Sequence, residues 1–240
     1  MKTDILGVQI DNLTLSEAVA VGTSFMEETR FHYVVTPNPE FILSAKKDEK
    51  FRDVLNKADL ALPDGIGVVY AAQILARPLK GRAPGVDFAQ GLLSQMAQTG
   101  KSLFLLGAKP GVAEQAAENL CRAHPGLLIC GTHDGYFQDD GPVIKAIQNA
   151  HADVIFVCLG APKQEFWMAE NGPATGARLA VGLGGCLDVF AGNVQRAPEG
   201  WQKIGLEWLY RLIKEPRRIG RMAKLPLILV DALGARLGGK

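Results

Sequence analysis

The 240-residue chain lacks the features that announce many function classes. Its four cysteines, Cys121, Cys130, Cys158 and Cys186, form no Cys-x-x-Cys pair, and Cys158 and Cys186 lie in apolar or Gly-rich stretches. This argues against a dithiol redox motif and predicts buried free thiols in a reducing cytoplasm. No Asp-x-Asp occurs, and His32, His124, His133 and His151 show no ligand spacing, so no bound metal is expected. The absence of Gly-x-Ser-x-Gly and of a Cys nucleophile context disfavours nucleophilic acyl chemistry. No apolar run reaches the roughly eighteen residues of a membrane span. Met1–Asp11 holds two acids and no long apolar core, unlike a signal peptide.

An excess of one charge sign is also missing, since the net charge is +1, but the charges are unevenly placed. From Trp201 to Lys240 there are nine Lys/Arg against Glu207, Glu215 and Asp231, a surplus of +6, which leaves the first 200 residues at −5. A mildly acidic body with a basic tail predicts an anionic partner for the tail. No nucleic acid is expected, and association into a homo-oligomer is compatible with the sequence.

Around Asp64 the chain reads Asp59-Leu-Ala-Leu-Pro-Asp-Gly-Ile-Gly67. Leu60–Leu62 look like the end of a buried strand, Pro63 stops ladder pairing, and Gly65 and Gly67 free the backbone for a sharp turn. The apolar run from Ile66 to Ala76 resumes as a helix. Asp64 therefore sits at a strand end and at the mouth of a helix, either as its cap or as a catalytic carboxylate aimed into a crevice.

The remaining elements follow a βα rhythm. Strands are expected over Ile5–Ile10, Phe31–Thr36, Ser102–Leu106, Leu127–Thr132, Asp153–Leu159 and Arg178–Gly182. Thr14-Leu-Ser-Glu17 is a capping box opening a helix, and Phe41–Lys57 reads as one largely helical stretch. Asp139 and Asp140 precede a helix as caps. Short apolar strands alternating with helices predict an α/β protein with a Rossmann-like, mostly parallel sheet flanked by helices. Ligands of such sheets bind at the carboxyl ends of the strands. Residues 1–196 would form this core.

Residues 197–240 would form a C-terminal helical basic appendage, with Trp201, Trp208, Leu212 and Ile219 as an apolar stripe and Pro216 and Pro226 as helix breaks. Two further loops carry polar groups to strand ends. Gly107-Ala-Lys-Pro-Gly111 could cradle a phosphate or be a plain tight turn. Gly160-Ala-Pro-Lys-Gln-Glu165 delivers Lys, Gln and Glu together, and Gln164 suits a sugar or a base edge.

Taken together, Thr36-Pro-Asn-Pro-Glu40, Pro63-Asp-Gly-Ile-Gly67, Leu106-Gly-Ala-Lys-Pro-Gly111, Leu159-Gly-Ala-Pro-Lys-Gln-Glu165 and Gly184-Gly185 resemble the WecG/TagA/CpsF glycosyltransferase family. So do Arg196-Ala-Pro198 and Glu207-Trp-Leu-Tyr-Arg-Leu-Ile-Lys-Glu-Pro-Arg217. One departure is Pro84, where Arg82-Ala-Pro-Gly-Val-Asp87 would more typically read Arg-Val-x-Gly-x-Asp. The resemblance implies an inverting, metal-independent transfer of an N-acetylmannosamine-type sugar from UDP to N-acetylglucosaminyl-diphospho-undecaprenol. The β-1,4-linked product would serve wall teichoic acid, enterobacterial common antigen or capsule synthesis. It further implies Asp64 as general base with Thr36 beside it, and Asn38, Arg82 and Gln164 lining the pocket. Gly107, Lys109, Tyr136 and the tail arginines Arg211, Arg218 and Arg221 are further substrate-binding candidates. No cofactor is expected, and the enzyme would sit in the cytoplasm against the inner face of the membrane. A nucleotide-binding oxidoreductase lacks its dinucleotide fingerprint here, and a non-enzymatic membrane binder leaves Thr36, Asp64 and Gln164 without a purpose.

Overall fold

The computed structural model describes residues 1–198, 200–201, 205–214 and 224–238, with Arg211 by its backbone alone. Six strands form one sheet: β3 (His32–Val35), β4 (Leu60–Ala61), β5 (Ser102–Gly107), β6 (Leu128–His133), β7 (Val154–Cys158) and β8 (Leu179–Gly182). Their order is β4-β3-β8-β7-β5-β6 and every pairing is parallel. All six carboxyl ends therefore meet along one edge.

Side-chain alternation along the strands builds two cores. Val154, Phe156 and Cys158 of β7 face α1 (Leu15–Phe25), α5 (Gly85–Thr99), α6 (Val112–Ala123) and α9 (Cys186–Phe190). Ile155 and Val157 face α2 (Pro39–Ala45), α3 (Glu49–Lys57), α4 (Ile66–Ile74), α7 (Asp140–Asn149) and α8 (Lys163–Asn171). With both faces covered, the central strands must be apolar on both sides, and β5, β7 and β8 are, while the edge strand β6 is only partly buried. The expected α/β architecture is the observed one.

Local departures have identifiable causes. Ile5–Ile10 is not one strand but the middle of a hairpin, β1 (Lys2–Ile5) and β2 (Val8–Asp11), with Ile5 opposite Val8. Its turn places Leu6 at φ 54° and Gly7 at φ 92°. Leu-Gly is not the usual pair for two positive φ values, so the turn carried little signal. The stretch Phe41–Lys57 is two helices, because Asp48 accepts a hydrogen bond from Phe51 N (3.1 Å) and opens α3 afresh. The capping box of α1 forms as expected, and Asp139 alone caps α7. All four thiols are free, but only Cys158 is buried, and burial pushes its pKa to about 12.

The end of the chain packs back on the body. α10 spans Glu207–Lys214 and α11 spans Lys224–Leu237. Ile228 and Ala232 of α11 join the core beside α2 and α4. Lys224 pairs with Glu40 (2.7 Å) and Asp231 with Lys46 (2.8 Å). Pro226 does not break this helix. It lies in the first described turn, where a missing N–H is tolerated. Among the described residues, no helix is long and apolar enough to cross a membrane.

Candidate active site

The ends of β3, β4 and β8 are stitched together by polar groups. Thr36, 5% exposed, donates its hydroxyl to Gly182 O at 3.0 Å, extending the β3–β8 contact past the last ladder pair. Asn38 caps α2: its Oδ1 accepts from Glu40 N (2.8 Å) and Phe41 N (3.2 Å), with Pro39 preset at the first helical position. On the neighbouring strand, Leu62 N donates to Val35 O and Asp64 N to Pro37 O, each at 2.9 Å. These bonds hold the two loops side by side.

Asp64 is half-buried and does not cap the helix that follows it. Gly65, at φ 101°, is the N-cap of α4 and supplies no side-chain bond. Instead, Asp64 Oδ2 accepts from Gly85 N, the first residue of α5, at 3.3 Å. The carboxylate thus faces the positive end of a fifteen-residue helix from another part of the chain. Gly85 permits the approach: a Cβ there would lie 3.0 Å from Thr36 Cγ2 and 3.4 Å from Leu183 Cδ2. Pro84 is accommodated as the N-cap residue of α5, and Ala83 N donates to Pro63 O at 2.9 Å.

Beside this loop lies a charged quartet. Arg82 Nη1 is 3.4 Å from Glu207 Oε2, and Arg196 Nε is 3.6 Å from Glu207 Oε1. Arg196 also grips Asp87 with both Nη atoms in a bidentate pair. Burial opposes the charge on Arg196, but Asp87 and Glu207 outweigh it and raise the guanidinium pKa. The quartet joins the start of α10 to the first turn of α5, beside Asp64.

The start of α8 supplies the third wall. Gln164 is 1% exposed, with its Oε1 accepting from Gly184 N at 3.0 Å and its Nε2 donating to Glu165 Oε1 at 2.6 Å. Its amide is engaged at both ends within the protein. Glu165 is fully buried, and desolvation lifts its pKa to about 7.

On the far side of β7 the arrangement is looser. Gly107 has φ 128°, and a Cβ would meet Cys158 O at 2.3 Å, so the turn at the end of β5 requires glycine. Lys109 is exposed, and Gly111 opens α6 without a side-chain cap. Ala108 O accepts from Gly135 N at 2.9 Å, bringing the loop after β6 alongside, and Tyr136 projects from it at 72% exposure. Lys163 Nζ reaches Gly135 O at 3.3 Å and lies 4.5 Å from the Phe137 ring centre. The adjacent residues Lys163 and Gln164 therefore contact the two sides of the strand edge respectively.

Thr36, Asn38, Asp64, Arg82 and Gln164 thus fall in one neighbourhood, and Gly107, Lys109 and Tyr136 in a second. Arg218 and Arg221 lie outside the described residues, as does the side chain of Arg211. Gly85, Asp87, Arg196, Glu207 and the role of Glu165 were not singled out from sequence. Arg196 and Glu207 stood in recognised blocks, but their partners Asp87 and Arg82 lie 109 and 125 residues away respectively. Among the described residues no group of three or more His, Cys, Asp or Glu is placed to share a metal ion.

A family model described as glycosyl transferase WecG/TagA/CpsF family matches residues 3–240. Three relatives share the name N-acetylglucosaminyldiphosphoundecaprenol N-acetyl-beta-D-mannosaminyltransferase. The protein of Bacillus spizizenii is 37% identical over 93% of this chain and 87% of its own length. That of Bacillus subtilis strain 168 is 38% identical over 88% of this chain and 86% of its own. That of Staphylococcus aureus strain MRSA252 is 35% identical over 98% and 93% respectively.

Proposed function

The chain belongs to the WecG/TagA/CpsF glycosyltransferase family, and we propose that it transfers N-acetylmannosamine from UDP, with inversion, to N-acetylglucosaminyl-diphospho-undecaprenol. The observation that carries this reading is Asp64, a carboxylate at a strand end whose Oδ2 is oriented by Gly85 N–H rather than spent on the following helix. The names of the relatives supply the sugar and the acceptor.

In this reaction the acceptor 4-hydroxyl attacks the anomeric carbon from the face opposite UDP. The new C–O bond forms as the bond to the β-phosphate breaks, and the hydroxyl proton passes to Asp64. Thr36 and Gly85 hold the loop that carries this base. The departing diphosphate gains negative charge, which Arg82 and the backbone N–H groups of the Gly107–Gly111 turn stabilise. Lys109 and Tyr136, on the exposed side, contact the nucleotide. An arginine of the tail, Arg211, Arg218 or Arg221, closes over the donor diphosphate. No divalent metal takes part.

The tail also meets the membrane that carries the acceptor. Leu227 and Val230 of α11 and Ile213 of α10 are exposed beside a basic segment of +6. Apolar groups and cations together suit an anionic interface, at about 1 kcal/mol per basic residue near the surface. This reading places residues 1–196 as the catalytic core and 197–240 as the element that docks it.

The test is a screen of UDP-sugars with a short-chain lipid-diphosphate acceptor in excess chelator. A disaccharide product formed selectively from UDP-N-acetylmannosamine is expected. Transfer only of a mannosaminuronic acid or glucose-type sugar, or only with Mg²⁺ or Mn²⁺ restored, would overturn the corresponding part.

A further inference from the structure

Glu165 is fully buried, yet among the described residues only one of its carboxyl oxygens is hydrogen-bonded. Oε1 accepts from Gln164 Nε2 at 2.6 Å, while Oε2 has no hydrogen-bond partner among the described residues. Holding a carboxyl group in an apolar place costs stability unless it does something there.

The bond it does make lies next to the reacting region. A Cβ on Gly182 would fall 3.0 Å from Gln164 Nε2 and 3.4 Å from Glu165 Oε1, so the pair packs directly against the last residue of β8. Gly182 O is the acceptor for Thr36, and Gly184 N donates to Gln164 Oε1. An amide can turn over, exchanging its oxygen and nitrogen. Because the Gly184 N–H can only donate, Gln164 must turn its oxygen to Gly184 and its nitrogen to Glu165 Oε1, which accepts it. Losing that acceptor would orphan a buried donor and leave the amide tethered at one end only.

We infer that Glu165 is a positioning residue: it holds the amide of Gln164 in place, and through it the Leu183–Gly185 turn and the floor beneath Thr36 and Asp64. This rests on the transferase reading for its effect on turnover, though not for its effect on the amide. Glu165 touches neither substrate nor reacting atoms, and its action passes entirely through Gln164.

The experiment compares Glu165→Leu, Glu165→Gln, Gln164→Ala and the double variant Gln164→Ala/Glu165→Leu in the full chain. Two readouts are followed: transfer to the short-chain acceptor, and hydrogen exchange of the Gly184 amide. Glu165→Leu should lower kcat/KM by about tenfold or more, as misplacement of site groups does, and speed Gly184 exchange. Glu165→Gln, which keeps an acceptor in the same place, should restore most of both. The double variant should be no slower than Gln164→Ala alone.

Multiplying losses in the double variant, or unchanged Gly184 protection in Glu165→Leu, would overturn the inference. If Glu165→Leu does not fold, Glu165→Asp, which withdraws the carboxylate by one methylene, carries the same comparison. Absence of transfer by the unaltered protein would count against the transferase reading alone, since Gly184 exchange reports on Gln164 without any substrate.

Discussion

The two halves of the strand edge are built differently. At the ends of β3, β4 and β8, the polar side chains are committed: Thr36 to Gly182, Asn38 to its helix, Gln164 to Gly184 and Glu165. At the ends of β5 and β6, Lys109 and Tyr136 stand in solvent, and the loops are joined by backbone bonds. A base must be held to within fractions of an ångström of its proton, whereas a nucleotide can be gripped by groups that adjust on arrival. The closed half suits the chemistry and the open half suits donor capture.

Substitutions in the closed half should therefore act on turnover or stability, and those in the open half on donor affinity. Asp64 aside, the largest loss is expected from Arg82→Gln, which removes a cation from the developing diphosphate charge. Its kcat/KM should drop about 10²–10³-fold in steady-state assays, and a drop confined to KM would move Arg82 to the donor-capture class.

Glu165→Gln comes next, read as stability against pH. The folded protein holds a proton on Glu165 up to about pH 7, while the unfolded chain releases it near the ordinary value of 4.5. Stability of the unaltered protein should thus fall as pH rises between those values, and the variant should lack this fall. Denaturant titrations at pH 8 should find the variant more stable by up to about 3 kcal/mol. Parallel pH profiles for the two proteins would contradict this.

Thr36→Val keeps the shape but leaves Gly182 O unpaired, at about 1–3 kcal/mol of stability. Turnover should fall about tenfold through the shifted loop, measurable beside a melting curve. Least affected is Tyr136→Ala, with donor KM raised about threefold to tenfold, kcat kept, and stability within about 0.5 kcal/mol of the parent. A kcat effect there would break the division between the halves.

Much of this site could be read from the sequence, because strand-end loops carry local signatures. Pro63-Asp-Gly65 marked the end of β4, and Pro37-Asn-Pro39 marked that of β3. What could not be read were partners. Asp64 was legible as a carboxylate at a helix mouth, but the helix it faces begins at Gly85, not at Ile66. The Arg82–Glu207–Arg196–Asp87 quartet depends on how the tail returns to the body, which no local pattern contains. Glu165 was legible as delivered with Lys163 and Gln164 to a strand end, and only packing shows that it points inward. The Leu6-Gly7 turn escaped for a different reason: its residues are permitted there rather than preferred.

The central claim, that Asp64 is the base and not a structural cap, is tested most directly by Asp64→Asn. The measurement pairs single-turnover transfer with calorimetric titration of UDP on the same folded protein. Loss of about 10²–10⁴ in turnover, the worth of a general base, with UDP affinity and melting temperature nearly unchanged, is the predicted result. Near-normal turnover, or a turnover loss matched by unfolding of the α5 end that Asp64 contacts, would contradict it.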